Sequence, residues 1–591
     1  MKVSAFLFLL VAVTALVAQA AQTAGAPDKT TAADAAFDKL ADRYFSEYYF
    51  KFNPTQGTAA GFHQYDAQLE DYSRKALDRQ VAVLGAFKRQ VEAVDAKQLG
   101  QRAAADRELV LGDINGRLLT LENIRSWEKN PDFYSSNVTN SIFVVMARTF
   151  APPEQRLKSV IARERQIPAV FQAARQNLKN PPPIYVDVAL EQIPGIVGFF
   201  QKDVPEAFKD VKDAALLKQF KTANQQVMDS LHAYQQWIEK DLKPRAHGDF
   251  RIGAENYRKK LLYDEMVDIP LDRLLEIGMA DLRKNQAEFK EVAAKIDSSK
   301  APQQILAELE KDHPAPDKLL QTFRDTLGGL RDYLEQHHIV TVPSQVLPIV
   351  EETPPFMRAL TFASMDTPGP YEKVAKEAFF NVTLAEKSWT PQQVEEHMEA
   401  FNRGTVISTA VHEVYPGHYT QFLWVPSAPS KVRKLLGCGS NAEGWAHYSE
   451  QMMLDEGYGR TPGVDLDHDT AFLKLRLGQL QDALLRDARY IVGIKMHTGK
   501  MTFDEGVAFF EKEGYQPHMT ALRETKRGTS DPTYLVYTLG KLEILKLRED
   551  YKKKMGDKFS LEQFHTEFLK QGFPPVKLVR EAIMGDNSPV L

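Results

Sequence analysis

Residues 411–421 read VHEVYPGHYTQ: a histidine–glutamate pair, a Pro-Gly step and a second histidine. Each residue of an α-helix turns by about 100°, so side chains four apart share a face while those six apart diverge by roughly 120°. His412 and His418, six apart, do not meet on an unbroken helix. Pro416, however, has no backbone N–H and pushes Tyr415 out of the helical region, and Gly417 reaches dihedrals closed to other residues. The stretch therefore predicts a helix ending in TVISTAVHE (405–413), a Pro-Gly corner, and a new element opening at GHYTQFLW (417–424), with His418 turned back toward His412.

Two imidazoles brought together this way suit a metal ion. Catalytic zinc takes three protein ligands and keeps one position open. SNAEGWAHYSEQ (440–451) offers Glu443 on a predicted helix, so one Zn2+ held by His412, His418 and Glu443 is expected. His447 shares the helical face of Glu443, as a rival ligand or a supporting partner, and Glu450 is spaced to orient either. Glu413 is then a spare carboxylate and the expected general base, acting on a water whose pKa zinc lowers to about 7.

Outward from this motif, 591 residues suffice for a deep core, in one large body or two lobes. Hydrophobic content of 43%, charged content of 26% and a net charge of -5, with no block of like charge, exclude nucleic acid as a partner. Residues 1–20, MKVSAFLFLLVAVTALVAQA, read as a signal peptide cleaved near Ala20, and 21–36 read as a flexible linker. The expected location is periplasmic or secreted, without membrane attachment after cleavage. The single cysteine, Cys438, excludes an internal disulfide and reads as a packing residue.

The fold class expected is mainly α: a large, two-lobed helical metallopeptidase with a small sheet near the zinc site. Residues 37–338 form an N-terminal helical region and 339–591 a catalytic region, or the two make one continuous domain. Helical periodicity runs through 155–178 with a kink at Pro168, and breaks fall at Pro131, Pro152–Pro153, Pro181–Pro183 and Pro302. Between 339 and 383, IVTV (339–342), VLPIV (346–350) and FFNVT (379–383) read as strands. Helices resume over 392–415 and 471–492, where Leu473, Leu477, Leu480 and Leu484 form a core stripe.

HEVYPGH (412–418) followed by EGWAHYSEQM (443–452) resembles the bacterial family catalogued as domain of unknown function 885. FNPTQGTAAGFHQYDAQLEDYS (52–73) and DPTYLVYTLGKLEILKLRED (531–550) resemble that family's two terminal signatures. The resemblance implies a helical zinc hydrolase laid out like the gluzincin peptidases, such as the carboxypeptidase Taq, thimet oligopeptidase and angiotensin-converting enzyme families. It assigns His412, His418 and Glu443 as ligands and Glu413 as base. Tyr537, before Gly540, and His497, in KMHTG, match recurrent family positions and are candidates for stabilising an oxyanion, with Tyr534 on the turn beside Tyr537.

Arg489, Arg527 and Arg548 are candidates for a substrate carboxylate. FFNVT, with Asn381, is expected at a sheet edge beside the metal, pairing with an extended peptide. The activity expected is hydrolysis of short peptides. The competing readings are an amide or ester hydrolase of a non-peptide substrate, and a peptide-binding protein without turnover.

Overall fold

A computed structural model describes residues 31–354, 357–358 and 361–591. The expected signal peptide and most of the linker lie outside these residues. Helix begins inside the stretch read as linker, over Ala32–Tyr44. The Thr31 hydroxyl accepts from the Asp34 N–H at 3.0 Å, and the Asp34 carboxylate accepts from the Thr31 N–H at 2.9 Å. This reciprocal cap, with Phe37 and Ala41 buried, fixes residues 32–36 as helix.

Helices dominate, and the prolines begin them. Pro131, Pro153, Pro183 and Pro302 each occupy the first position of a helix, where a missing N–H costs nothing. The kink expected at Pro168 is a complete break between helices Pro153–Glu164 and Ile167–Asn177.

Three short strands form one sheet: β1 (Ile349–Glu352), β2 (Ala363–Asp366) and β3 (Phe379–Val382), in the order β1-β3-β2. β3 pairs parallel with β1 and antiparallel with β2. The expectation that FFNVT lies at an edge is therefore corrected: β3 is central, and both its ladders are already filled. IVTV is not a strand. Its backbone is satisfied by side chains instead, the Ile339 carbonyl by His565 Nδ1 at 2.7 Å and the Thr341 carbonyl by Trp424 Nε1 at 3.0 Å. Only Ile349 and Val350 of VLPIV enter β1, directly after Pro348. β2 reads ASMD and carries no run of β-branched residues to announce it.

Packing runs across residue 338. Helix Leu319–Gln336 buries Phe323, Leu327 and Leu330 in the same core as Phe380 of β3 and Val411, Tyr415 and Trp445 of the histidine–glutamate region. Helix Leu271–Ile296 lies along helix Thr470–His497, where Leu282 and Phe289 meet the stripe Leu473, Leu477, Leu480 and Leu484. Buried ion pairs join distant segments as well, Arg433 with Asp106 at 2.8 Å and Lys541 with Asp281 at 2.7 Å.

Candidate metal centre

The first histidine sits on helix Arg403–Glu413, which Asn402 caps by accepting from the N–H groups of Gly404 and Thr405. The helix closes when Val414 N–H and Tyr415 N–H both donate to the Ala410 carbonyl, at 3.0 and 3.2 Å. A cis peptide precedes Pro416, and Gly417 N–H then donates to the Val411 carbonyl at 3.0 Å. A Cβ at Gly417 would stand 1.8 Å from the His412 carbonyl oxygen, so glycine alone permits this approach. The next helix, His418–Trp424, starts with the second histidine.

Glu443 projects from helix Gly439–Asp455. Glu265, at the end of helix Ala254–Glu265, accepts from the Gly439 and Ser440 N–H groups at 3.2 and 2.8 Å and so caps this helix from a distant segment. The Trp445 indole N–H donates to the Pro416 carbonyl at 2.9 Å, which ties the corner to the glutamate helix. Helix Val536–Met555 packs against it where Gly444 meets Gly540; a Cβ on Gly540 would lie 1.8 Å from the Ser440 carbonyl oxygen.

The result is a convergence. Glu443 Oε2 lies 3.4 Å from His412 Nε2 and 3.3 Å from His418 Nε2. The imidazoles stand at 86° with centroids 4.8 Å apart, and donor atoms of the three residues all fall within 4.8 Å of one another. Around a tetrahedral zinc with bonds of about 2.0–2.1 Å, neighbouring ligand atoms stand roughly 3.3 Å apart. Glu443 Oε2 is buried and hydrogen-bonded to nothing, as a ligand atom reserved for a cation would be. The Glu443 side chain as a whole is 29% exposed, against 8% for His412 and 13% for His418, so the site is open on the Glu443 side. The three residues fit a divalent metal.

Support behind the first histidine favours the same use. His412 Nδ1 is 2.6 Å from Glu450 Oε1. Burial pushes the Glu450 carboxyl up, but Arg486, at 2.9 Å, with His447 and His412, outweighs it and holds Glu450 well below the usual carboxylate range. An ionised carboxylate only accepts, so Nδ1 carries a proton toward Glu450, which leaves Nε2 as the nitrogen that would give up its proton to bind an ion. His412 is pushed down by burial and lifted further by Glu443 and Glu450, to about 9. For Glu443, burial acts upward, and the two facing imidazoles override it to hold the carboxyl well below its ordinary range.

His447 stands behind Glu450, not among the converging donors: its Nδ1 lies 3.2 Å from Glu450 Oε2, and burial with the nearby Lys541 drives it down to about 3. Glu413, half-buried at the end of the first histidine helix, makes no hydrogen bond or ion pair with another side chain among the described residues. Tyr537 stacks beside His412 at 6.3 Å between centroids. Burial, reinforced by the Glu443 charge, raises its hydroxyl to about 12. Arg527 donates to that hydroxyl at 3.1 Å.

Other expected site residues are engaged elsewhere. His497 bonds the Gly528 carbonyl through Nε2 at 2.7 Å and meets Phe250 edge-on, so it is a packing residue at a helix end. Tyr534 is buried against Gly493 and Gly528. Arg489 is spent on a bidentate pair with Glu524, at 2.6 and 2.9 Å, and lies under the Tyr537 ring. Arg548 donates to the Tyr448 hydroxyl at 3.2 Å. Asn381 is buried in the central strand, its amide 3.5 Å from Ser364 Oγ, and is not placed to meet a peptide. Arg527 is shared between Asp531 and Tyr537 and, of the three arginines, is the one that donates to the hydroxyl of the tyrosine beside the candidate donors.

Three supporting residues escaped the sequence reading. Arg486 carries no local signal beyond its place on a buried helix, and Glu265 none at all. Trp445 had one, its position two residues after Glu443 within a segment already singled out.

Fold and site together define a mainly helical protein in which three helices direct two imidazoles and one carboxylate at a single point. The family model described as "Bacterial protein of unknown function (DUF885)" matches residues 54–583, and the chain belongs to that family. The fold is shared with solved structures. A Shewanella oneidensis protein of unknown function, proposed to be a lipoprotein, is 26% identical with a TM-score of 0.75, covering 93% of this chain and 99% of its own. A Colwellia psychrerythraea protein, also proposed to be a lipoprotein, has a TM-score of 0.77 at 16% identity, over 94% of this chain and 99% of its own. Comparison with curated proteins returned no match.

Proposed function

We propose that the protein is a zinc-dependent peptidase of gluzincin type, hydrolysing short peptides outside the cytoplasm. The observation that carries this reading is Glu443 Oε2, buried without a hydrogen bond and 3.3–3.4 Å from two imidazole nitrogens, one of them backed by an ionised carboxylate. His412, His418 and Glu443 would hold the ion. Zinc bound there would polarise a carbonyl and acidify a water.

Every remaining role falls to the chain itself. Glu413, adjacent to a ligand and without a protein partner, takes the proton from the attacking water and passes it to the leaving nitrogen. Tyr537 keeps its proton because burial and the Glu443 charge oppose ionisation. Its oxygen accepts from Arg527, so its own O–H is left to donate to the oxygen that gains charge as water adds. Enclosure of the site by two helical lobes would restrict entry to short chains. The extracytoplasmic location rests on the signal-like first twenty residues and on the lipoprotein assignment proposed for both solved neighbours. Among the described residues no helix is long and apolar enough to cross a membrane.

The test is a peptide library incubated with purified protein, with and without chelator, read by mass spectrometry, beside Glu413→Gln. Expected are chelator-sensitive cleavage and a Glu413→Gln variant with full zinc content and turnover reduced by about a thousandfold. Glu413→Gln turning over like the parent would remove Glu413 as base. Cleavage confined to non-peptide amides or esters would replace the substrate class.

A further inference from the structure

A cavity of about 360 Å³ opens between helix His518–Ser530, helix Pro391–Glu399 and the residues that follow β3. Arg358, Arg523 and Lys526 line it with two carboxylates, Glu191 and Glu386, each of which is paired with one of the other two cations, Lys526 and Arg358. Arg358 donates to the Thr353 carbonyl and pairs with Glu352 at 2.8 Å, while Lys526 pairs with Glu191 at 2.7 Å. Arg523 has no hydrogen bond or ion pair among the described residues. Its guanidinium lies 4.5 Å from the centre of the Phe362 ring.

The nearest acid in sequence does not serve Arg523, because Glu524 is taken by both arms of Arg489. Arg523 is half-buried, and burial pushes its guanidinium down from its usual range, offset only in part by the charges of Glu524 and Glu191. His397 donates Nε2–H to the Thr383 carbonyl at 2.9 Å, and burial disfavours its charged form, so it adds no second cation to the cavity. Trp389 and Leu522 give the same cavity an apolar wall. A half-buried, planar, five-donor cation without a paired acid, beside an apolar wall, suits a carboxylate attached to a hydrophobic group.

The cavity is joined to the candidate metal centre through shared elements. One turn beyond Arg523, on the same helix, Arg527 donates to the Tyr537 hydroxyl. The helix Pro391–Glu399, which carries His397, leads directly into the helix of His412 and Glu413.

We propose that this cavity binds the free C-terminal carboxylate of a bound peptide, with Arg523 as the recognising cation. This rests on the peptidase reading for its context, but it is tested by binding alone. Titration calorimetry on the full-length Glu413→Gln protein would use three probes: N-acetylated trialanine with a free C-terminus, its C-terminal amide, and an amide whose last residue is glutamate.

The acid is expected to bind at least about tenfold more tightly than either amide, and Arg523→Gln should bring the three within about twofold. Arg523→Lys, which keeps the charge without the fork, should retain part of the preference, and thermal midpoints of both variants should match the parent. Equal affinity for acid and amide, a glutamate amide binding as well as the acid, or a preference that survives Arg523→Gln would each overturn the assignment. An Arg523-dependent preference in a protein that cleaves no peptide would instead refute the hydrolytic reading and leave the carboxylate site standing.

Discussion

Gly417→Ala tests the corner on which the two histidines depend. The added methyl would lie 1.8 Å from the His412 carbonyl oxygen and 2.4 Å from that of Val411, where ordinary contact begins at 3.4 Å. Neither obstacle is a flexible side chain, so relief requires the backbone at 417 to move by roughly 1.6 Å, whereas metal–ligand distances tolerate only about 0.2 Å. Because His418 is the next residue, it moves with the corner and leaves the 3.3 Å approach to Glu443 Oε2. Zinc affinity should fall by at least about a hundredfold, or ~2.7 kcal/mol. Competition against a chromophoric chelator measures it, with circular dichroism and thermal unfolding to show that the variant folds. Gly198→Ala, at a glycine whose added methyl would meet nothing within 4 Å, is the matched control and should bind as the parent does. A folded Gly417→Ala protein with parental zinc affinity would refute the reasoning that the Pro-Gly corner positions the ligands.

Tyr537→Phe removes the hydroxyl held by Arg527 while keeping the ring beside His412; kcat on any cleaved peptide should drop by about a hundredfold with zinc content unchanged, and an undiminished kcat would dismiss the tyrosine as donor. Far from the site, Glu164 is fully buried, with one oxygen bonded by Asn224 at 3.0 Å and the other unpartnered, and burial raises it to about 8. A carboxyl raised on folding contributes fully below its unfolded pKa near 4.5, and that contribution is lost as pH rises through about 8. Parental thermal stability should therefore decline across that window by an amount on the order of a few kcal/mol, and Glu164→Gln should flatten the decline; parallel curves for the two proteins would show that Glu164 is not its source.

Much of the candidate site was legible because its signals are local. Whether a backbone continues as helix is decided by residues in immediate sequence, and Pro416 with Gly417 left few options between His412 and His418. The same holds for the prolines that begin helices and for the leucine stripe of Leu473 to Leu484, whose period alone marks a buried face. Misreadings occurred where a remote partner decides. FFNVT has the texture of a strand, but strand composition does not say which strands lie beside it, and the weakly marked ASMD segment filled the ladder expected to be free.

Arg489 has all the chemistry needed for a substrate carboxylate and is consumed by Glu524, thirty-five residues away; Arg523 carries the same chemistry and was left unpaired. Glu265 caps the Glu443 helix from far upstream, and Arg486 fixes the charge of Glu450 from another helix. By itself the sequence determined the helical class and the broken helix and singled out the three candidate donors that converge, since backbone rules act between neighbours. Which charges are spent on structure and which remain for a ligand only the tertiary structure decided, because a side chain is claimed by whichever partner the packing brings within about 3 Å of it.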